Sequence, residues 1–431
     1  MAQVERRVSQ SVRGVLEKGG FARRKIAAEL GFQPTVFDRW INGTRPFPLK
    51  ELISTTEYLG MDKDYFFEDY LLDCWYAPKD KSERVRDFLC YTRTEGFRMY
   101  SDKLVSMLLE EGKQLRSLYE TGLYLDEKGL CEEAEYFYTL VIDNERDRLA
   151  EHLALSYYRR FMIVRDWDMD YAFEAATKLS EHIRTLPEDV MFEAYTNIMT
   201  VFYVLDKWDH LKKYGEEART LMERASTRNT NLYAKCLSYL GFAYRNKKEF
   251  DKALDAHRLC GELGATFKVW DELNTCVVLL EAGDHGKLNE LIELIHRFPM
   301  EAINHLDHIF QALLKNRDFL QIEKIISEFH PIILELFEKT DPYNLKRAIR
   351  IRLFIAESYV HFANYTAAKS KLQTALNLAR KKKLFNLYDD CMRVFWLLEG
   401  IESKKFCAGC KKDIQEDVRG LTTNHHHYPF A

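Results

Sequence analysis

The chain has 431 residues, 46% of them hydrophobic and 30% charged, with a formal net charge of −4. This is a globular composition, and it excludes collagen, disorder and a disulfide scaffold. Only 19 glycines and 9 prolines are present, below the usual shares of about 7% and 5%, which argues for long helices rather than turn-rich sheets.

Length alone suggests roughly three domains. No apolar run reaches the roughly 18 residues of a membrane span. The opening MAQVERRVSQSVRGVLEKGG has no apolar core of a secretory signal. A cytoplasmic protein without membrane contact is expected, and nine cysteines, mostly single, suit a reducing compartment. Charge is uneven. Residues 1–50 hold ten basic and four acidic side chains, a net of +6, and the other 381 hold 53 and 63, a net of −10. A basic end on an acidic body suggests a polyanionic partner. A solvated charged face explains the charge alone equally well.

The first helix reads from Ser9 to Lys18, with Val12, Val15 and Leu16 at helical spacing, and stops at Gly19-Gly20. A second reads from Phe21 to Leu30, with Phe21, Ile26, Ala27 and Leu30 inward, and Gly31 supplies its left-handed exit. Pro34 starts a third, to about Trp40-Ile41, ended by Asn42-Gly43. A fourth follows from Leu49 to Leu59 and closes at Gly60.

Two short helices on a tight glycine turn can place the second in a major groove. The string ARRKIAAELGFQPTVFDRWINGTRP resembles the repressor/Cro-type (XRE) helix-turn-helix. The resemblance lies in the Ala27-x-x-x-Gly31 turn, Val36-Phe37, Trp40 and the Asn42-Gly43-x-Arg45 ending, continued by Leu49 to Leu59-Gly60-Met61 and Tyr65-Phe66. Arg45 is followed by Pro46-Phe47-Pro48, so the turn there is expected to differ locally. With Gln33 at its start, the second helix would expose Pro34, Thr35, Asp38 and Arg39. Arg39 can pair with guanine, while Asp38 can accept from cytosine or brace Arg39. Arg23, Arg24, Asn42 and Arg45 would hold phosphates, as the resemblance implies. One such domain binds weakly, so a homodimer on two half-sites is expected.

The expected divisions are 1–68 for DNA binding, 69–104 as helical linker, 105–402 as a repeat domain and 403–431 as polar tail. Within 105–402, Gly122/Ala134, Gly241/Ala253 and Ala356/Ala368 recur twelve apart. The pattern resembles the tetratricopeptide repeat, a helix pair of about 34 residues. Anchors at Ala134, Ala172, Leu211, Ala253, Leu291, Ile322 and Ala368 are irregularly spaced, as in diverged repeats. The fold class is then all-α, a helix-turn-helix followed by a right-handed solenoid with a concave face. An unrelated helical bundle is the alternative. By phase, the inner face presents Tyr157, Phe161, Asn197, Thr200, Tyr203, Ser238, Phe242, Arg245, Asn304, Asp307, Gln311, Arg350 and Glu357. Amides there can read a peptide backbone and aromatics can take its side chains.

Together these features resemble the RRNPP family, the peptide-pheromone-sensing regulators of Gram-positive bacteria. The resemblance implies a cytoplasmic, homodimeric quorum-sensing transcription regulator that binds operator DNA and a short imported oligopeptide. It also implies that Asn197 holds the peptide backbone. An interaction protein that sequesters a signalling protein is the alternative, and a phage-encoded receptor of the same build is a third. No phosphate loop, GxGxxG, HExxH or GxSxG is present, so neither an enzyme nor a cofactor is expected. His152, His182, His210, His257, His296 and His361 fall singly on helices. Cys407 and Cys410, with His425 to His427, lack the usual zinc spacing and read as tail rather than metal site.

Overall fold

The computed structural model describes residues 7–77, 82–110, 115–225 and 229–405. Among the described residues there are 24 α-helices, one 3₁₀ turn and no strand. They divide into two compact units, parting between Ile163 and Val164.

The first unit holds α1 (Arg7–Lys18), α2 (Arg23–Glu29), α3 (Pro34–Ile41), α4 (Leu49–Tyr58), α5 (Phe67–Trp75), α6 (Ser82–Thr94), α7 (Arg98–Glu110), α8 (Leu115–Glu127), α9 (Cys131–Asn144) and α10 (Glu151–Val164). Helix α1 buries Val8, Val12 and Leu16 at the spacing of one helical face. Phe21 lies before α2 and is exposed, against expectation. Its N–H donates to Leu16 O at 2.9 Å and closes the end of α1, so the second helix starts two residues later. Gly31, at φ +71°, then lets the chain turn, and Phe32 N–H donates to Ala27 O at 2.7 Å. Helix α3 buries Phe37, Trp40 and Ile41. Phe32, Phe37, Trp40 and Phe47 form one ring cluster with centroids 5.5 to 6.3 Å apart.

Polar bonds tie α1 to α3 and α5. Arg13 donates to Ile41 O at 2.9 and 3.2 Å, Ser11 Oγ to Asp69 Oδ2 at 2.6 Å and Arg7 N–H to Asp73 Oδ1 at 3.0 Å. Helix α5 packs on α1, α6 and α7, and α6 on α8. The stretch 69–104 therefore carries packed helix where it is described.

The second unit holds α11 (Met169–His182), the 3₁₀ turn Ile183–Thr185, α12 (Glu188–Val204), α13 (Trp208–Arg224), α14 (Thr230–Asn246), α15 (Phe250–Gly261), α16 (Ala265–Glu281), α17 (Lys287–Arg297), α18 (Pro299–Ala302), α19 (Leu306–Asn316), α20 (Phe319–Glu328), α21 (His330–Glu338), α22 (Pro342–His361), α23 (Tyr365–Lys381) and α24 (Phe385–Lys405). Each of the seven anchors, from Ala134 to Ala368, is fully buried. The paired glycines permit close approach of neighbouring helices. A Cβ on Gly122 would meet Tyr138 Cε1 at 2.8 Å, and one on Gly241 would meet His257 Nε2 at 2.5 Å.

One turn recurs between paired helices. Gly129, Asp206, Lys248, Gly283, Arg317, Ala363 and Lys383 all take positive φ, and the next N–H reaches back five residues, as Glu249 does to Tyr244 O at 2.9 Å. The second unit also ties its start to its end. Lys346 Nζ, on α22, donates to Tyr203 O at 2.7 Å and Asp206 Oδ1 at 2.6 Å, at the end of α12. Lys383 Nζ lies 3.0 Å from Asp168 Oδ2 and 3.1 Å from Asp170 Oδ2, and Met169 N–H donates to Lys382 O at 3.1 Å.

Candidate functional site

In the first unit, the outward side of α3 is polar because its apolar side is sealed under the ring cluster. Gln33, Pro34, Thr35 and Arg39 are exposed, as are Arg24, Asn42 and Arg45 around them. Thr35 and Arg39 stand one helical turn apart and share a face. Arg23 and Asp38 are half-buried. Arg23 Nη1 donates to Asn42 Oδ1 at 3.2 Å and lies 4.0 Å from Asp38 Oδ1, while Nη2 lies 3.5 Å from Glu17 Oε1. Arg23 thus braces α2 against the end of α3, and Asp38 turns toward Arg23 rather than toward Arg39.

The second unit encloses a cavity of about 370 Å³, of the size small-ligand sites have. Its wall comes from α12, α14, α16, α18, α22 and the residues entering α19. Seven of the expected residues meet there: Asn197, Thr200, Tyr203, Ser238, Phe242, Arg245 and Asn304. Tyr203, Arg245 and His308 also line an adjoining cavity of about 310 Å³, which Gln311 and Arg350 face.

Much of the wall's polarity is already committed. Asn197 Oδ1 accepts from Arg165 Nη1 at 2.8 Å, which engages half of the amide expected to hold a ligand backbone. Thr200 Oγ1 and Tyr239 Oη are 2.9 Å apart. Glu301 accepts from Trp270 Nε1 at 3.2 Å and from Asn304 Nδ2 at 3.0 Å. Arg245 Nε lies 3.5 Å from Glu281 Oε2, and its guanidinium sits 5.6 Å over the Phe242 ring. Asp307 is buried behind the wall, its Oδ2 3.5 Å from Arg350 Nη1, so it serves as a counter-ion rather than a lining group. Burial pushes the Asp307 carboxyl up, but His308, Arg350 and Arg347 outweigh it and hold the group well below the usual carboxylate range. Burial, helped by neighbouring cations, pushes His305 and His308 down to about 3.

With Asp307, three further expected residues line neither cavity. Tyr157 and Phe161 belong to α10 of the first unit, and Phe161 is fully buried core with no open face. Glu357 is buried in α22 and lines neither cavity. Conversely, the wall includes Tyr239, Trp270, His305, Tyr343 and Arg347, which phase reasoning did not single out. The available signal was NLKRAIRIR, with four cations inside an otherwise apolar helix.

No described helix is long and apolar enough to cross a membrane. Among the described residues, no group of three or more His, Cys, Asp or Glu side chains could hold a metal. Cys407, Cys410 and His425 to His427 lie outside the described residues.

No family model matches the chain. No curated protein matches it. Among solved structures, it is similar to the crystal structure of Bacillus thuringiensis PlcR in complex with the peptide PapR7 and DNA. The identity is 12%, the TM-score 0.29, and the match covers 70% of this chain and 98% of that one. A score that low leaves this chain's fold and activity to be argued from its own residues.

Proposed function

We propose that this chain is a peptide-controlled DNA-binding regulator. On this reading, residues 1–68 act as a helix-turn-helix domain. The repeated helix pairs form a tetratricopeptide-like solenoid whose cavity takes a short peptide. The working form is a homodimer in the cytoplasm, in keeping with membership of the RRNPP family. The observation that carries the proposal is α3, which seals Phe37 and Trp40 inward and leaves Thr35 and Arg39 exposed together. The +6 charge of residues 1–50 supports the same end as the one that meets phosphate.

Arg39 would read a guanine, Thr35 an adjacent base edge, and Arg24 and Arg45 the phosphates. Arg23 would act by positioning Asn42. Control requires that the peptide bind two states of the dimer unequally, since a ligand with equal affinity for both shifts nothing.

The test is DNA affinity against salt, with fragments selected from a random library by the purified protein. A DNA-binding role predicts a linear fall of log affinity with log salt. It also predicts that Arg39→Ala weakens the selected site about 10- to 100-fold, the share of a bidentate base contact. Absence of any salt-dependent binding would overturn it and favour a repeat protein that sequesters a signalling partner.

A further inference from the structure

The cavity wall contains a buried cation that no carboxylate hydrogen-bonds. Arg347 is 3% exposed and lines the 370 Å³ cavity. Its guanidinium lies 3.9 Å over the Tyr343 ring, yet its Nε and Nη1 donors have no hydrogen-bond partner. The carboxylates nearby are engaged elsewhere. Glu301 is taken by Trp270 and Asn304, and Asp307 spends Oδ2 on Arg350, while its Oδ1 makes no hydrogen bond and attracts Arg347 only through space. His305 is 5% exposed on the same wall, and its Nδ1 also lacks a partner. Taking a guanidinium out of water carries a large desolvation cost unless an anion meets it. Unsatisfied buried donors of this kind call for an explanation in a folded protein.

We infer that Arg347, assisted by His305, is the receptor for a carboxylate carried by the ligand of this cavity. A planar guanidinium suits a planar carboxylate. Tyr343 fixes the guanidinium plane by stacking, so its donors are oriented before the ligand arrives. Burial keeps His305 neutral, so one ring nitrogen can donate to the same carboxylate without adding a second buried charge. This inference rests on the peptide reading for the identity of the ligand, though not for its charge. The carboxylate has two sources in a peptide, its free C-terminus or an Asp or Glu side chain.

The experiment measures affinity of the full chain for three pools of hexapeptides built from uncharged residues. One pool has a free C-terminal acid, one a C-terminal amide, and one the amide with a single Asp. The expected result is at least tenfold tighter binding of the acid pool or the Asp pool than of the plain amide pool, with the stronger of the two identifying the source. In Arg347→Gln that difference disappears, and Arg347→Lys restores part of it. The pool comparison in the unaltered protein stands even where a variant fails to fold. Equal binding of all three pools overturns the carboxylate assignment and leaves the peptide reading intact. If no pool binds, the peptide reading falls, and citrate becomes the probe. A citrate-induced rise in melting temperature that Arg347→Gln abolishes upholds the anion receptor, and no such rise overturns it as well.

Discussion

Helices α3 and α22 both begin with proline at their first turn, and they handle charge in opposite ways. Helix α3 buries three apolar side chains and leaves Arg39 in solvent. Helix α22 is enclosed nearly all round and buries Lys346, Arg347 and Arg352 with its apolar residues. An exposed cation costs nothing to hold and is available to any partner. A buried one must be met inside the fold, and how it is met defines what can bind beside it. Lys346 is hydrogen-bonded by Asp206 and the Tyr203 carbonyl, whereas no carboxylate hydrogen-bonds Arg347. The first region therefore suits a partner recognised by its surface field, and the second a ligand recognised by a placed group.

That contrast can be broken most strongly by acid. His257, His305 and His308 are each held down to about 3, chiefly by burial. Between that value and about 6.5, the unfolded chain binds protons that the folded one does not, so stability falls as pH drops. From pH 6.5 to 5 the loss should approach 2 kcal/mol for each histidine. Urea unfolding at pH 7 and pH 5 checks it. The expected loss lies in the second unit, because all three histidines belong to it.

Next in size is Asp206→Ala. It strands Lys346, whose side chain is 1% exposed, and should cost about 3–5 kcal/mol, as breaking a buried ion pair does. Lys346→Met should cost far less, since Asp206 is partly solvated and needs no buried partner. Equal losses in the two variants would argue against a charge explanation.

Glycines give a smaller and opposed pair. Gly241→Ala forces a Cβ into the His257 ring and should cost about 1–3 kcal/mol. Gly14→Ala on α1 meets nothing within 4 Å and should add up to about 1 kcal/mol, the ordinary helix preference. Smallest is Ala363→Gly, which relieves a left-handed alanine and should add under about 1 kcal/mol. Melting curves of the three variants side by side check the order.

Much of the fold is legible in the sequence because it depends on local spacing. The small residues at Gly122 and Gly241 mark close helix contacts, and the anchors from Ala134 to Ala368 are all buried. The recurring left-handed turn is only partly legible, because of its seven positions between these helices only Gly129 and Gly283 are glycines. Tertiary packing fixes Asp206, Lys248, Arg317, Ala363 and Lys383 there. Phe21 departs from its expected place because its role is to close α1, not to begin α2. At the cavity, residues on α12 and α14 follow helical phase, and seven of the expected set meet. Phe161 and Glu357 have the same phase but lie where neighbouring helices cover them. Arg347 and His305 cannot be found by phase, since their meaning lies in what fails to pair with them in three dimensions.

If the exposed face of α3 reads DNA, changing Arg39 must empty the sites that the protein occupies. Genome-wide occupancy by the tagged protein in its own cells, compared with Arg39→Ala at equal abundance, tests this most directly. Discrete sites are predicted in the first case and their loss in the second. Discrete sites that survive Arg39→Ala unchanged, or no sites in either, would contradict a DNA-reading role for α3.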